Sequence, residues 1–204
     1  MSKSHRLVLF TSKSGNLARY VAVHFNKYHP IFIHPDDDIE LVFKTLSDLA
    51  EQRMLIGMSV GYTKLIPKRI IDLFNKQLYN THPAELPLTR GMYGAQAIYR
   101  MVETYRQVGT VTIHQIDEGY DTGPIILETK FPYLQSSVEM QLLYEYSYEG
   151  SNVPKDYLHE WIGEYTQMLK LVEPTIIVKF LQETFVKPKK VVTPRRYKQT
   201  AKNT

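Results

Sequence analysis

The stretch Arg53-Met54-Leu55-Ile56-Gly57-Met58-Ser59-Val60 consists almost entirely of apolar and small residues and has the length of a β-strand. A strand that is apolar on both faces is typical of a parallel sheet covered by helices on each side. The polar and glycine-containing segment Gly61-Tyr62-Thr63-Lys64 then indicates a loop that leaves the end of this strand. The stretch therefore predicts an α/β protein.

Strand-like and helix-like segments alternate on both sides of this run. Upstream, residues 6–11 and 30–34 predict strands, and residues 17–25 and 39–51 predict helices. The second helix is expected to bury Leu41, Val42, Leu46 and Leu49. Downstream, strands are predicted at 78–82, 110–116 and 124–130, and helices at 67–74 and 91–101.

These segments predict one domain over residues 1–186, with a Rossmann-like, mostly parallel sheet and helices on both faces. The strands at 110–116 and 124–130 are expected to form a late antiparallel hairpin. From Ser137 the pattern is helical, with breaks predicted near Gly150 and Pro174. The three aspartates at 36–38 are interpreted as a helix-capping loop rather than a metal site.

Composition narrows the class of protein. Of the 204 residues, 43% are hydrophobic and 23% charged, as in ordinary globular proteins. No apolar run reaches the ~18 residues that a membrane-spanning helix needs, and no signal peptide is recognised. The absence of cysteine excludes disulfides and thiolate metal sites, so a cytoplasmic location is expected.

The net charge of +4 originates from the end of the chain. Residues 187–204 contain seven Lys or Arg and no acid; removing those seven from the 25 basic residues leaves 18 against 21 acidic ones. Such a tail can contact nucleic acid, but a solvated, disordered end is the favoured interpretation.

Two loops carry the candidate chemistry. Ser12-Lys13-Ser14-Gly15-Asn16 lies between a predicted strand and helix, where backbone N–H groups attract anions. Phosphate binding there and a plain connection are equally favoured. Alternation places Asn80 and His82 on one face of their strand, and Asp121 lies in a glycine-bordered loop. An amide, an imidazole and a carboxylate together suit a reaction that forms an oxyanion.

These residues lie in segments that resemble a known family. Leu78-Tyr79-Asn80-Thr81-His82-Pro83-Ala84-Glu85-Leu86-Pro87 resembles the core motif of folate-dependent formyltransferases, and residues 109–126 resemble the second motif of that family. Residues 61–67 are similar to the loop between them. The order and spacing also agree over residues 54–130, with a looser similarity over 6–25.

The resemblance implies a formyltransferase fold and transfer of a formyl group from 10-formyltetrahydrofolate to a primary amine. It implies catalytic roles for Asn80, His82 and Asp121: Asn80 and His82 would hold the oxyanion while Asp121 manages protons. The folate would lie against two loops, formed by Gly61, Tyr62, Thr63, Lys64 and Leu65 and by Asp117, Glu118 and Gly119.

The acceptor amine is less well defined by the resemblance. The loop Ser12, Lys13, Ser14, Gly15 and Asn16 departs from the glycine-rich phosphate loop of the ribosylglycinamide enzymes, and Tyr93 and Ala95 replace histidines of those enzymes. We expect this loop and Tyr93 to bind the acceptor, a phosphorylated glycosylamine or a nucleotide-linked amino sugar. A homodimer is left open, as is the acceptor itself.

The same residues allow other interpretations. His114 is expected to be a packed or supporting residue rather than a direct participant. A zinc site formed by His82, His114 and Asp121 has no support from the resemblance, so no metal is expected. The alternative function is a non-catalytic or nucleic-acid-binding protein on the same fold that uses the basic tail.

Overall fold

The computed structural model describes residues 4–13, 15–105, 108–133 and 155–186. Within these ranges the fold comprises six strands and five helices. The strands are β1 (His5–Thr11), β2 (Ile31–Ile33), β3 (Met54–Val60), β4 (Leu78–His82), β5 (Val108–Gln115) and β6 (Ile125–Pro132). The helices are α1 (Asn16–His24), α2 (Ile39–Gln52), α3 (Lys68–Asp72), α4 (Gly94–Tyr105) and α5 (Lys155–Leu181), with a 3-10 turn at Asn26–Tyr28 and a π-helical turn at Gln182–Val186.

The strands form one sheet in the order β2-β1-β3-β4-β5-β6. The first four run parallel, whereas β5 is antiparallel to β4 and β6 is antiparallel to β5. The predicted α/β fold and the late antiparallel hairpin are therefore confirmed. The apolar strand β3 lies between β1 and β4, which explains why both of its faces are apolar.

Helices cover both faces of the sheet. One face carries α2 and α3 and buries Val8, Phe10, Leu46, Ile70, Phe74 and Leu78. The other face carries α1, α4 and α5 and buries Leu7, Leu9, Met58, Met101, Val111, Trp161, Ile177 and Leu181. Residue alternation along each strand thus assigns a side chain to the α2/α3 face or to the α1/α5 face.

The aspartate run caps a helix, as predicted. The Asp38 carboxylate accepts hydrogen bonds from the backbone N–H groups of Glu40 and Leu41 at the start of α2. The prediction that Leu41 is buried is wrong, because its side chain is 63% exposed. Val42 and Leu46, one helical turn apart, are buried on the sheet, and Leu49 packs partly buried against the same cluster.

The predicted break at Pro174 is also wrong. Helix α5 continues through Pro174 for 27 residues in total. An internal proline costs about 3 kcal/mol of helix stability. Burial of Tyr165 and Leu169 before the proline, and of Ile177 and Leu181 after it, holds both halves of the helix on the sheet and outweighs that cost.

Two further predictions fall outside the described ranges, namely the break near Gly150 and the basic segment 187–204. Within those ranges, no helix has the length and apolar character required to cross a bilayer.

Candidate active site

The pairing of β4 with β5 brings the candidate side chains together. The antiparallel register sets Asn80 opposite His114 and His82 opposite Thr112. These residues lie on the α2/α3 face, whereas Tyr79 and Thr81 point to α5, where Tyr79 packs on Phe180. The predicted alternation along β4 is therefore confirmed.

The amide of Asn80 contacts two partners. Its Nδ2 atom lies 3.1 Å from His114 Nε2 and 3.3 Å from Asp121 Oδ1. His114 Nδ1 lies 2.9 Å from the carbonyl oxygen of Gln115, which only accepts, so that nitrogen carries a proton. Asn80 donates to Asp121, and His114 Nε2 lies within hydrogen-bonding distance of both side chains.

Asp121 is held from several directions. Its Oδ2 atom accepts from the N–H of Gly91 at 3.1 Å, and its carbonyl oxygen accepts from Arg90 Nε at 3.1 Å. Its carboxylate lies 3.3 Å from His114 Nε2 and 3.7 Å from His82 Nδ1. The residue has a φ of 53°, in the left-handed region that aspartate tolerates better than most side chains.

The surroundings shift the pKa values of Asp121 and His82. Burial raises the pKa of Asp121, but His114, His82 and the N–H of Gly91 together lower it further than burial raises it. The carboxyl group is therefore ionised at neutral pH. Burial lowers the pKa of His82, and it outweighs the opposite effect of Asp121, so the His82 imidazole is neutral at pH 7.

A cleft of about 630 Å³ opens above these residues. Asn80, His114 and Asp121 line it, but His82 does not. The His82 side chain is only 6% exposed and lies behind Asp121, with Nε2 2.9 Å from the hydroxyl of Thr89. The structure thus brings the predicted trio together and places His114, not His82, at the surface of the cleft.

The cleft is lined by residues from both faces of the sheet, and Asn80 is one of them. The part on the α2/α3 face is lined by predicted folate-contacting residues, namely Gly61, Tyr62, Thr63, Lys64, Leu65, Asp117 and Gly119. Glu118 does not line it; its carboxylate lies 3.6 Å from Lys68 Nζ instead. Asp117 Oδ1 accepts from the N–H of Gly119 and from Thr122, which pins this loop.

The part on the α1/α5 face contains most of the residues predicted to bind the acceptor. Ser12, Gly15, Asn16 and Tyr93 line it. Lys13 instead borders a smaller depression of about 230 Å³ and pairs with Asp36 at 3.1 Å. Ser14 lies outside the described residues.

Sequence reasoning missed two residues of this region. Glu173 of α5 lines the cleft, and its Oε1 atom accepts from the Thr81 hydroxyl at 2.7 Å. Burial raises the pKa of Glu173, and the hydrogen bond from Thr81 offsets part of that rise. Thr89, which contacts His82, is the second. Both contacts join residues that no motif links, so no sequence signal could have found them.

Helix α5 also supports the chain beside His82. The Tyr165 hydroxyl donates to the carbonyl oxygen of Pro83 at 2.7 Å and accepts from the N–H of Thr110 at 3.1 Å. One buried side chain thus links α5 to the ends of β4 and β5. Across the described part of the chain, no group of three or more His, Asp or Glu side chains is arranged to hold a metal ion.

Comparison with known proteins adds to this geometry. A family model described as formyl transferase matches residues 43–149, which is more than half of the chain and includes Asn80, His82 and Asp121. A chloroplastic phosphoribosylglycinamide formyltransferase from Vigna unguiculata is 34% identical over 84 residues, or 40% of this chain and 27% of the relative. A methionyl-tRNA formyltransferase from Pseudothermotoga lettingae is 36% identical over 91 residues, which are 44% of this chain and 29% of that relative.

These matches cover less than half the length of the curated relatives. A solved structure of phosphoribosylglycinamide formyltransferase from Streptococcus pneumoniae TIGR4 superposes with a TM-score of 0.58, covering 88% of this chain and 98% of that one at 15% identity. This likeness shows that the fold is shared. Taken with the family model, it shows that the chain belongs to the formyl transferase family.

Proposed function

We propose that this protein is an N-formyltransferase that moves a formyl group from 10-formyltetrahydrofolate to a primary amine. The observation that carries the proposal is the hydrogen-bonded pair of Asn80 and Asp121 at the cleft, with His114 and His82 beside the carboxylate. A neutral hydrogen-bond donor next to an ionised carboxylate suits a reaction that forms an oxyanion and moves a proton.

The proposed reaction begins when the amine nitrogen attacks the formyl carbon. Asp121 takes the proton that the nitrogen loses, because its carboxyl group is ionised before the reaction. A protonated Asp121 no longer needs the hydrogen that Asn80 donates to it, so this N–H can turn to the oxyanion. The oxyanion then collapses, the bond between the formyl carbon and N10 of the folate breaks, and Asp121 gives its proton to N10. His82, once charged, adds a positive charge behind Asp121.

The folate is assigned to the part of the cleft on the α2/α3 face. Residues 61–65 and the pinned loop at 117–119 face one another there and offer backbone groups to the edge of a pterin. The half-buried ring of Tyr62 adds apolar surface, since it packs on Phe10. Asn80 then lies where the formyl end of the folate meets the acceptor.

The acceptor is assigned to the part on the α1/α5 face. Gly15 precedes the first turn of α1, and no side chain among the described residues caps that helix, so we assign the N–H groups of its first turn to an anionic group of the acceptor. Ser12, Lys13, Ser14, Gly15, Asn16 and Tyr93 remain the proposed acceptor-binding residues. A phosphorylated glycosylamine or a nucleotide-linked amino sugar meets this chemistry.

A formyl-transfer assay with 10-formyltetrahydrofolate tests the proposal. The acceptors are a phosphorylated glycosylamine, a nucleotide-linked amino sugar and an unphosphorylated amine. We expect transfer to one of the first two, with Asn80→Ala slower by about 10²- to 10³-fold. Asn26→Ala, which changes an exposed asparagine far from the cleft, serves as control. Absence of transfer to all three, together with no folate binding by calorimetry, would contradict the proposal.

A further inference from the structure

The hydroxyl of Thr89 is engaged on both sides. It donates to the carbonyl oxygen of Glu85 at 2.8 Å and lies 2.9 Å from His82 Nε2. Thr89 is fully buried, so no solvent competes for either contact. A hydroxyl has one hydrogen and a carbonyl oxygen only accepts. The hydrogen between Thr89 and His82 must therefore belong to His82 Nε2.

The other nitrogen of His82 faces a single polar side chain. Nδ1 lies 3.7 Å from Asp121 Oδ2. The charged or titratable groups that act on His82 are Asp121, from the loop after β5, and His114, from β5 itself. Because His82 does not line the cleft, a bound substrate reaches this ring only by way of Asp121.

We propose that Thr89 is a positioning residue that fixes His82 in the form protonated at Nε2, so that His82 exchanges its second proton at Nδ1 and with Asp121 alone. In the competing form, protonated at Nδ1, the Thr89 hydroxyl would have to turn from Glu85 to donate to Nε2, so the short contact with the Glu85 carbonyl oxygen would lose its hydrogen. Nδ1–H would gain only a 3.7 Å approach to Asp121, which is too long for a hydrogen bond. The hydrogen bond from Thr89 to Glu85 thus decides between the two forms.

The use of this arrangement in catalysis rests on the proposed formyl transfer. The amine nitrogen bonds to the formyl carbon, the bond from that carbon to N10 breaks, and one proton passes from the amine to N10. Asp121 takes that proton first, His82 Nδ1 accepts it from Asp121 and returns it, and Asp121 delivers it to N10. Nε2 keeps its own hydrogen throughout, because Thr89 holds it.

Nitrogen-15 NMR of labelled histidine side chains in the ligand-free protein tests the tautomer directly. His82→Gln identifies the His82 signals by their loss. We expect Nε2 of neutral His82 to appear as the protonated nitrogen in the wild type and in Thr89→Ser. In Thr89→Val the share of the form protonated at Nδ1 should rise, because the hydroxyl acceptor for Nε2–H is lost while Asp121 and the backbone of residue 89 remain.

The matched control is Thr184→Val, since the Thr184 hydroxyl also donates to the carbonyl oxygen four residues earlier, that of Phe180, but far from the cleft. It should leave the His82 signals unchanged. A wild-type spectrum with the proton on Nδ1 would overturn the proposal even if Thr89→Val fails to fold. A folded Thr89→Val protein in which His82 keeps the wild-type tautomer would also overturn the proposal.

Kinetics separate this proposal from the proposed function. Thr89→Val should lower kcat by about 10²-fold and shift the pH profile, with Thr89→Ser close to the wild type. A wild type that shows the Nε2–H form but no formyl transfer would retain the tautomer assignment and reject the reaction. Equal kcat and equal pH profiles for wild type and Thr89→Val would reject the role of Thr89 in catalysis.

Discussion

The two ends of the cleft differ in how their polar groups are satisfied. At the end of β4, the side chains of Asn80, His82, His114 and Asp121, which we call the Asn80 cluster, bond to one another and to the N–H of Gly91. In the loop at 12–16, which we call the acceptor loop, Lys13 makes an exposed ion pair with Asp36, and none of the side chains that the structure describes caps the helix that follows. Next to that loop, the buried hydroxyl of Thr11 has no hydrogen-bond partner among the described residues.

This difference separates the chemistry from the choice of substrate. A cluster whose members hold one another keeps its geometry before any ligand binds, which is what electrostatic stabilisation of a transition state requires. The N–H groups in the first turn of α1, which no described side chain caps, can gain their partners from a ligand. We therefore expect substitutions in the Asn80 cluster to slow the reaction with every acceptor, and substitutions in the acceptor loop to change which acceptor binds.

The largest expected effect follows Asp121→Asn. Asparagine keeps the size of the side chain and tolerates the positive φ, but it cannot take a proton. We expect kcat to fall by about 10³-fold with every acceptor. Asp36→Asn, which removes the partner of Lys13, is the control and should leave kcat unchanged. A decrease of less than tenfold for Asp121→Asn would show that proton transfer does not depend on this residue.

Tyr165→Phe should weaken the support behind the Asn80 cluster. It removes the hydroxyl that bridges Pro83 and Thr110, and leaves two buried backbone groups without that partner. The free energy of unfolding should fall by about 1–3 kcal/mol in urea titrations. Tyr99→Phe, at a side chain that is 45% exposed, should change it by no more than about 0.5 kcal/mol. Equal losses for the two variants would contradict this role of Tyr165.

The pH dependence of stability should reveal the buried imidazole of the cluster. The folded pKa of His82 lies below its ordinary value of 6.5, so between those two values the unfolded chain binds more protons than the folded one. This contribution to stability is present above pH 6.5 and is lost as the pH falls towards the folded pKa, with a slope of at most about 1.4 kcal/mol per pH unit. The variant His82→Gln should lack this loss of stability between pH 6.5 and the folded pKa of His82. Parallel stability curves for wild type and variant between pH 7 and 5 would refute the assignment.

The smallest effect on stability is expected in the acceptor loop. Lys13→Ala breaks an ion pair whose side chains are 68% and 69% exposed, so we expect no measurable change in the free energy of unfolding in urea titrations. Its kinetic effect should be a higher KM for a phosphorylated acceptor at unchanged kcat. Lys44→Ala, on the exposed side of α2, controls for the loss of charge. An unchanged KM would remove Lys13 from the acceptor site.

The sequence predicted the parts of the molecule that depend on neighbouring residues. Strand β4 was predicted with the bounds that the structure shows, because alternation and the flanking proline both act locally. Leu41 was misplaced because its neighbour Val42 occupies the buried position on the same turn of α2. Helix α5 continues past Pro174 because long-range packing compensates for a local defect.

The candidate active site shows the same limit of prediction from sequence, since contacts between distant residues are not encoded locally. The motifs identified Asn80, His82 and Asp121, but the partners of Asp121 at Gly91 and of His82 at Thr89 depend on how the loops fold over β4. The relative positions of His82 and His114 were likewise open, because alternation gives the face of a strand and not the depth of a side chain. Only the packed fold shows that His114 lines the cleft while His82 lies behind Asp121.

The hydroxyl of Tyr165 has a consequence for local unfolding. Because it joins α5 to the backbone at Pro83 and Thr110, the helix cannot detach without exposing the strand ends that carry the Asn80 cluster. Helix and cluster should therefore open as one cooperative unit, and the amide hydrogens of Thr110 and of the middle of α5 should exchange with solvent at similar rates. Catalytic competence and the docking of a distant segment of chain would then be lost in the same event.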